Sequence, residues 1–67
     1  MLKNELKKFR LKRNMTQVQI ADKLDIHVFT YKRYENNSRI PKVNIALAIA
    51  KVLNATVEEL FSNDKLR

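Results

Sequence analysis

The chain has 67 residues, a net charge of +7, and neither Cys nor Gly. This length predicts a single domain, and the lack of Cys excludes disulfides and thiolate metal sites. The longest apolar run covers residues 45–50, far short of the roughly 20 residues that a membrane span needs. Because the N-terminus carries no apolar signal core, we expect a cytoplasmic protein with no membrane partner.

The positive charge is concentrated in the first two thirds of the chain. Residues 1–42 carry eleven of the fourteen Lys and Arg but only four of the seven Asp and Glu, whereas residues 43–67 are neutral. A basic part joined to a neutral part favours a polyanion such as nucleic acid as the partner. Charge alone leaves open the alternative of a surface made soluble by Lys.

The first two predicted helices follow from apolar periodicity and a capping signal. Apolar residues recur at i, i+4 and i+7 over residues 2–12, which is typical of an amphipathic helix. Thr16 and Gln19 have the spacing of a capping box, so a second helix is predicted to begin there and to end near Asp25.

A third helix is predicted after a turn of only about three residues, with Tyr31 and Tyr34 on its inward side and residues 36–38 at its end. Two helices this close in sequence indicate a helix-turn-helix unit.

The remaining chain predicts two more helices. Residues 43–53 are apolar on most sides of a helix, which predicts a position in the middle of the fold. Thr56 and Glu59 form a second capping box at the start of a short helix that runs through Phe61. Residues 61–67 are expected to be a frayed tail or a dimer contact. With no strand pattern, residues 1–67 are predicted to form one all-α domain, a compact bundle of five short helices.

The third helix carries the strongest functional signal. At about 100° per residue, one arc of roughly 140° opposite the tyrosines collects two cations, an amide and two apolar side chains. Arg33 fits the edge of guanine, and the apolar groups fit the thymine methyl, whereas Lys32 is better placed for a phosphate. Packing of Phe29 against a loop or a partner chain is the alternative. The residues on this arc are Val28, Phe29, Lys32, Arg33 and Asn36.

Phosphate contacts are expected from helix ends. The start of the second helix, at Thr16 and Gln17, offers backbone N–H groups and a positive dipole. Asn36, Arg39 and Lys42 flank the far end of the third helix, where a merely solvated loop is the alternative.

These positions belong to a longer pattern that spans nearly the whole chain without gaps. It consists of Met15, Thr16, Gln17, Ile20, Ala21, Leu24, Tyr31, Tyr34, Glu35, Asn36, Pro41, Leu47, Ile49, Ala50, Leu53, Val57, Leu60 and Phe61. The pattern resembles the Xre family, also called the lambda-repressor/Cro-like helix-turn-helix family. The resemblance implies a transcriptional regulator of bacterial or phage type, acting as a homodimeric repressor on a palindromic operator in duplex DNA.

The resemblance also assigns roles to single positions. It implies that Gln17 contacts the DNA backbone and braces the third helix, and that an ion pair joins Arg10 to Glu35. Positions 27, 28, 29, 32 and 33 are expected to face the major groove, and position 36 and the following loop to meet phosphates.

The chain departs from the family pattern at several positions. The usual Ser or Thr at the start of the third helix is His27, which predicts a weaker cap and leaves open whether this side chain contacts DNA or only solvent. Lys42 replaces a common Ser, a misfit that contact with a phosphate would explain. Asn and Asp tolerate a positive φ and stand where the family favours Gly, at Asn14, Asp25 and Asn37.

The dimer is expected to use the neutral C-terminal part. Val57, Phe61 and Leu66 are the candidate contacts, because a short last helix cannot bury all its apolar residues internally. The alternative is that Leu60 and Phe61 only close the core of the monomer.

Other function classes find less support. One His, two Ser and no carboxylate cluster give no catalytic set, so we expect no enzyme, cofactor, metal or small-molecule ligand. An antitoxin or protein-partner-binding module of the same fold is the main alternative. An RNA-binding module is disfavoured because no aromatic sheet platform is predicted.

Overall fold

A computed structural model describes residues 2–63 of the protein, with the side chains of residues 4–61. The five helices confirm the predicted all-α class, and α2 and α3 form the helix-turn-helix. Two short strands frame them. In chain order the elements are β1 (Leu2–Asn4), α1 (Leu6–Lys12), α2 (Gln17–Leu24), α3 (Val28–Glu35), α4 (Val43–Leu53), α5 (Val57–Leu60) and β2 (Phe61–Asn63).

The two strands pair with each other and join the ends of the chain. They are antiparallel, with Lys3 opposite Ser62. The sequence predicted a helix over residues 2–12 and did not predict a strand, so the predicted helix began too early. Helix α1 begins at Leu6, whose backbone N–H donates to the side-chain oxygen of Asn4 at 2.8 Å. The start of the predicted C-terminal tail is therefore part of the fold.

Side-chain caps mark the starts of α2, α3 and α5, and left-handed residues mark several turns. Both predicted capping boxes are present, at the start of α2 and at the start of α5. The three predicted substitutes for Gly adopt a left-handed conformation, and a fourth residue that the sequence analysis did not single out does the same at the end of α4. These residues are Asn14, Asp25, Asn37 and Asn54, with φ of 56°, 56°, 64° and 54°.

The core is built from all five helices. Its largest fully buried side chains are Leu6, Ile20, Tyr31, Ile49, Leu53 and Leu60. Because Tyr31 and Tyr34 are both buried, α3 is anchored by one side and leaves the other to solvent.

The expected central position of α4 was wrong. One face is buried through Ile49, Leu53 and neighbouring alanines, but Val43 is 75% exposed and Leu47 is 56% exposed. A helix that is apolar on most sides does not reveal from sequence which side packs inward. In this fold the second apolar side of α4 lies on the surface.

Candidate nucleic-acid interface

The solvent-facing side of α3 carries most of the side chains that the sequence predicted there. Phe29 is 61% exposed, Lys32 and Asn36 are exposed, and Arg33 is half-buried. Val28 differs from the expectation, since it is half-buried and packs against the core. The face that α3 offers to a partner is therefore centred on Phe29, Lys32 and Arg33.

Phe29 and Arg33 contact each other on this face. They are one helical turn apart, and the guanidinium carbon of Arg33 lies 5.8 Å from the centre of the Phe29 ring. This is a cation–π contact close to the outer limit of about 6 Å. The two side chains therefore lie next to each other on the face of α3 that the sequence predicted to be functional.

His27 caps the N-terminus of α3. Its Nδ1 accepts a hydrogen bond from the backbone N–H of Phe29 at 3.1 Å. A weaker cap was predicted here because the usual Ser or Thr is missing, yet the imidazole supplies the acceptor. The ring is exposed and lies at the start of the helix, next to Phe29.

The N-terminus of α2 is organised by its capping box. The Thr16 hydroxyl accepts from the backbone N–H of Gln19 at 3.0 Å, and the Thr16 N–H donates to the Gln19 side chain at 2.8 Å. The expected free N–H at Thr16 is therefore already used. The N–H groups of Gln17 and Val18, in the first turn, are the ones left for a phosphate.

A buried ion pair holds α3 in place. Arg10 Nε lies 2.5 Å from Glu35 Oε2, and the two side chains are 9% and 7% exposed. Arg10 Nη1 also donates to the backbone oxygen of Met15 at 2.8 Å. The Gln17 side chain donates to Glu35 Oε1 at 3.1 Å. The end of α3 is thus tied both to α1 and to the first residue of α2.

The titration of this cluster reflects its burial and its hydrogen bonds. Burial by itself raises the pKa of Glu35, but the hydrogen bonds from Arg10 and Gln17, together with the nearby Tyr31 hydroxyl, outweigh it, so the pKa lies below its ordinary value. The hydrogen bond to Glu35 raises the pKa of Arg10. Burial, together with the nearby Glu35 charge, raises the pKa of the Tyr31 hydroxyl. Both members of the ion pair are therefore charged at neutral pH.

Asn4 is a supporting residue that the sequence analysis missed. Its side-chain amide donates to the backbone oxygen of Tyr34 and to Asn37 Oδ1, the latter at 3.2 Å. It thus holds the end of α3 from a strand 30 residues earlier in the chain. No local pattern in the sequence signals a contact over this separation.

The loop after α3 is partly ordered by its own side chains. Asn36 Oδ1 accepts from the backbone N–H of Ser38 at 2.9 Å and from its hydroxyl. Asn36, Arg39 and Lys42 are all exposed. Lys42 immediately precedes α4, and its exposure leaves the ammonium group accessible to an external anion.

A separate apolar groove lies between α4 and α5. Val43 and Leu47 contribute exposed apolar surface, and the predicted dimer contacts Val57 and Phe61 also line the groove while packing partly inward. The predicted contact Leu66 lies outside the described residues. The charged residues along the groove are Lys51, Glu58 and Glu59.

Comparison with known proteins agrees with this architecture. A helix-turn-helix family model matches residues 6–60. An uncharacterized HTH-type transcriptional regulator of Archaeoglobus fulgidus is 33% identical over 64 residues, covering 96% of this chain and 90% of the relative. The cryptic phage CTXphi transcriptional repressor RstR of Vibrio cholerae is 34% identical over 59 residues, covering 88% of this chain and 53% of RstR. The HTH-type regulator YqaE of Bacillus subtilis is 35% identical over 69 residues, covering 98% of this chain and 60% of YqaE.

The fold, the helix-turn-helix geometry and these matches define a DNA-binding domain of a transcription regulator. The chain belongs to the Xre, or lambda-repressor-like, helix-turn-helix family. Within residues 2–63, no helix is long and apolar enough to cross a membrane, and no group of His, Asp or Glu side chains has the arrangement of a metal site.

Proposed function

We propose that this protein binds duplex DNA sequence-specifically as a homodimeric repressor, with α3 in the major groove. The proposal rests on Phe29, Lys32 and Arg33, which lie on the solvent-facing side of α3, while the opposite side of this helix is held by the rest of the domain. Buried tyrosines and the Arg10–Glu35 pair hold α3 on the side away from this face. Rigid placement matters, because base contacts require side chains to meet base edges in a fixed register.

The remaining predicted contacts serve the DNA backbone in this arrangement. The first turn of α2 offers its N–H groups to one phosphate, and Arg39 and Lys42 offer charge beyond the other end of α3. The excess positive charge of residues 1–42 supports the same assignment. The repressor role rests on the likeness to RstR, which is named a transcriptional repressor.

The homodimer proposal rests on the symmetry that we expect of the operator. A symmetric operator presents successive major grooves about 34 Å apart. The domain has only one α3 and its longest extent is 33 Å, so one copy cannot place a recognition helix in both grooves. Two copies related by a twofold axis can do so, each with its own α3.

We assign the dimer contact to the groove between α4 and α5. It is apolar at Val43 and Leu47, and it lies in the part of the chain that carries no net charge. Lys51 and the acidic pair Glu58 and Glu59 line the same groove. A twofold axis through such a surface lets the Lys of one copy meet the acids of the other, as a self-complementary interface requires.

Selection from a random duplex pool tests the DNA-binding proposal. We expect enrichment of sites with two related half-sites. If the dimer makes about 6–10 phosphate contacts, affinity should fall roughly 10³- to 10⁵-fold between about 50 and 200 mM salt. A pool without enrichment, or an affinity that does not respond to salt, would contradict the proposal.

Sedimentation of two matched variants tests the dimer surface. Leu47→Glu places a charge in the groove, whereas Leu11→Glu places the same charge on α1 at equal exposure, since the two leucines are 56% and 55% exposed. We expect Leu47→Glu to shift the protein to monomer, free and on DNA, and Leu11→Glu to leave the dimer intact. A monomeric wild type on a two-half-site duplex, or equal behaviour of the two variants, would refute this assignment.

The comparisons do not favour the partner-binding alternative. The same selection experiment separates the two, because a module that only captures an acidic protein would not enrich any duplex sequence.

A further inference from the structure

The contact between Phe29 and Arg33 bears on the base sequence that the protein recognises. Phe29 exposes 61% of its surface in the first turn of α3. Arg33 lies four residues later, about 6 Å along the helix axis, with its guanidinium over the ring. A large apolar ring in water is unfavourable, and the stacked cation covers only one of its sides. The rest of the ring is free to meet a ligand on the DNA-facing side.

The ring can distinguish only one chemical feature in the major groove. A benzyl group neither donates nor accepts conventional hydrogen bonds, so the polar edges of the bases give it nothing to bind. The thymine C5-methyl group is the one apolar group among the four standard base edges. 5-Methylcytosine carries the same methyl on the same ring carbon and differs from thymine in a polar group that Phe29 cannot test.

Arg33 adds the second half of the site. The contact with Phe29 leaves N–H groups of the guanidinium for the O6 and N7 atoms of guanine. The separation of 5.8 Å between ring centre and guanidinium is less than two base-pair rises of about 3.4 Å. This separation fits a methyl and a guanine on neighbouring base pairs.

We infer that Phe29 and Arg33 act as one unit that recognises a guanine next to a pyrimidine bearing a C5-methyl group, so that cytosine methylation at this position strengthens binding. The inference rests on the proposed function, since it concerns the same face of α3. In addition, Phe29 does not distinguish thymine from 5-methylcytosine. Binding to the operator would therefore respond to a DNA methyltransferase. The dependence resides in one exposed side chain and its stacked neighbour.

Four versions of the selected duplex test this inference on the unaltered protein. The pyrimidine beside the Arg33-dependent guanine is thymine, deoxyuridine, cytosine or 5-methylcytosine, which gives two pairs that differ by one methyl. Burial of one methyl against an apolar ring predicts about fourfold tighter binding for the methylated member of each pair. The same substitutions at a base pair far from that guanine serve as the control and should change affinity much less.

Phe29→Ala then locates the effect. Because Phe29 is exposed, the variant should retain its fold, which circular dichroism checks. We expect the methyl preference to vanish in Phe29→Ala and the preference for guanine to weaken, because Arg33 loses its stacking partner. An unaltered protein that ignores the methyl in both pairs would overturn the inference, as would a methyl preference that persists in Phe29→Ala. Either result leaves the selected site intact, whereas failure of the proposed function itself would leave no site to modify.

Discussion

Loss of the Arg10 guanidinium is expected to cost a large part of the stability of the domain. Arg10→Met removes the charge but keeps a long, unbranched side chain. The Glu35 carboxylate, in a side chain only 7% exposed, would then keep only the hydrogen bond from Gln17 among those that the structure shows. Breaking a buried pair in this way costs about 3–5 kcal/mol, because one charge stays buried without its partner.

The total stability of a chain of 67 residues sets the scale. At about 0.05–0.15 kcal/mol per residue, the domain is stable by roughly 3–10 kcal/mol, so the loss expected for Arg10→Met is about a third of the total stability or more. Urea titration followed by circular dichroism measures the free energy of unfolding of the variant against that of the wild type.

The double variant Arg10→Met/Glu35→Met is the informative control. It removes both charges, and replacement of a whole buried pair by apolar side chains is often neutral or stabilising. We therefore expect the double variant to recover most of the stability that Arg10→Met loses, which gives a large coupling free energy in a double-mutant cycle. A loss below about 1 kcal/mol in Arg10→Met, the range of exposed pairs, would refute the view that this pair fixes α3.

Three further predictions follow from particular residues. The pKa of Glu35 in the folded protein lies below its ordinary value of 4.5. The stabilising effect of the carboxylate is therefore full above pH 4.5 and is lost as the pH falls through the folded-state pKa. The difference in free energy of unfolding between wild type and Glu35→Gln should shrink on acidification, and a constant difference would contradict this. Asn54 has φ 54° and ψ 50°, so thermal denaturation should show Asn54→Ala about 1 kcal/mol less stable than Asn54→Gly, whereas equal stabilities would argue against the left-handed cap. In binding titrations, Arg33→Ala should relax the preference at one base pair per half-site, while Arg39→Ala should weaken binding to all duplexes alike and reduce the salt dependence of the affinity. Uniform weakening by Arg33→Ala would indicate that Arg33 contacts the DNA backbone.

Local signals predicted most of the fold. The capping boxes at Thr16 and Thr56 placed the starts of α2 and α5, because a cap involves residues only three apart. The strand pairing between the two ends of the chain could not be predicted, since three-residue strands show no alternation and their partners are 57 to 61 residues apart. The exposed side of α4 was missed for a different reason, because apolar residues on most sides of a helix do not show which side is buried.

The candidate site was predicted unevenly. The inward tyrosines followed from helical periodicity, and this placed Phe29 and Lys32 on the opposite, exposed side. The Arg10–Glu35 pair came only from the family resemblance, since two charges 25 residues apart show no pattern of their own. The hydrogen bonds of Asn4 and the cap made by His27 depend on side-chain geometry, which no spacing rule supplied.

The central claim is that two copies of α3 lie in successive major grooves of one DNA duplex. Footprinting of a selected duplex with dimethyl sulfate tests it most directly, because this reagent methylates guanine N7 in the major groove. We predict protection of guanines in two patches about 10 base pairs apart, with the Arg33-dependent guanine protected in each patch and exposed again in Arg33→Ala. Protein bound with every guanine N7 still reactive, or with a single protected patch, would contradict the account.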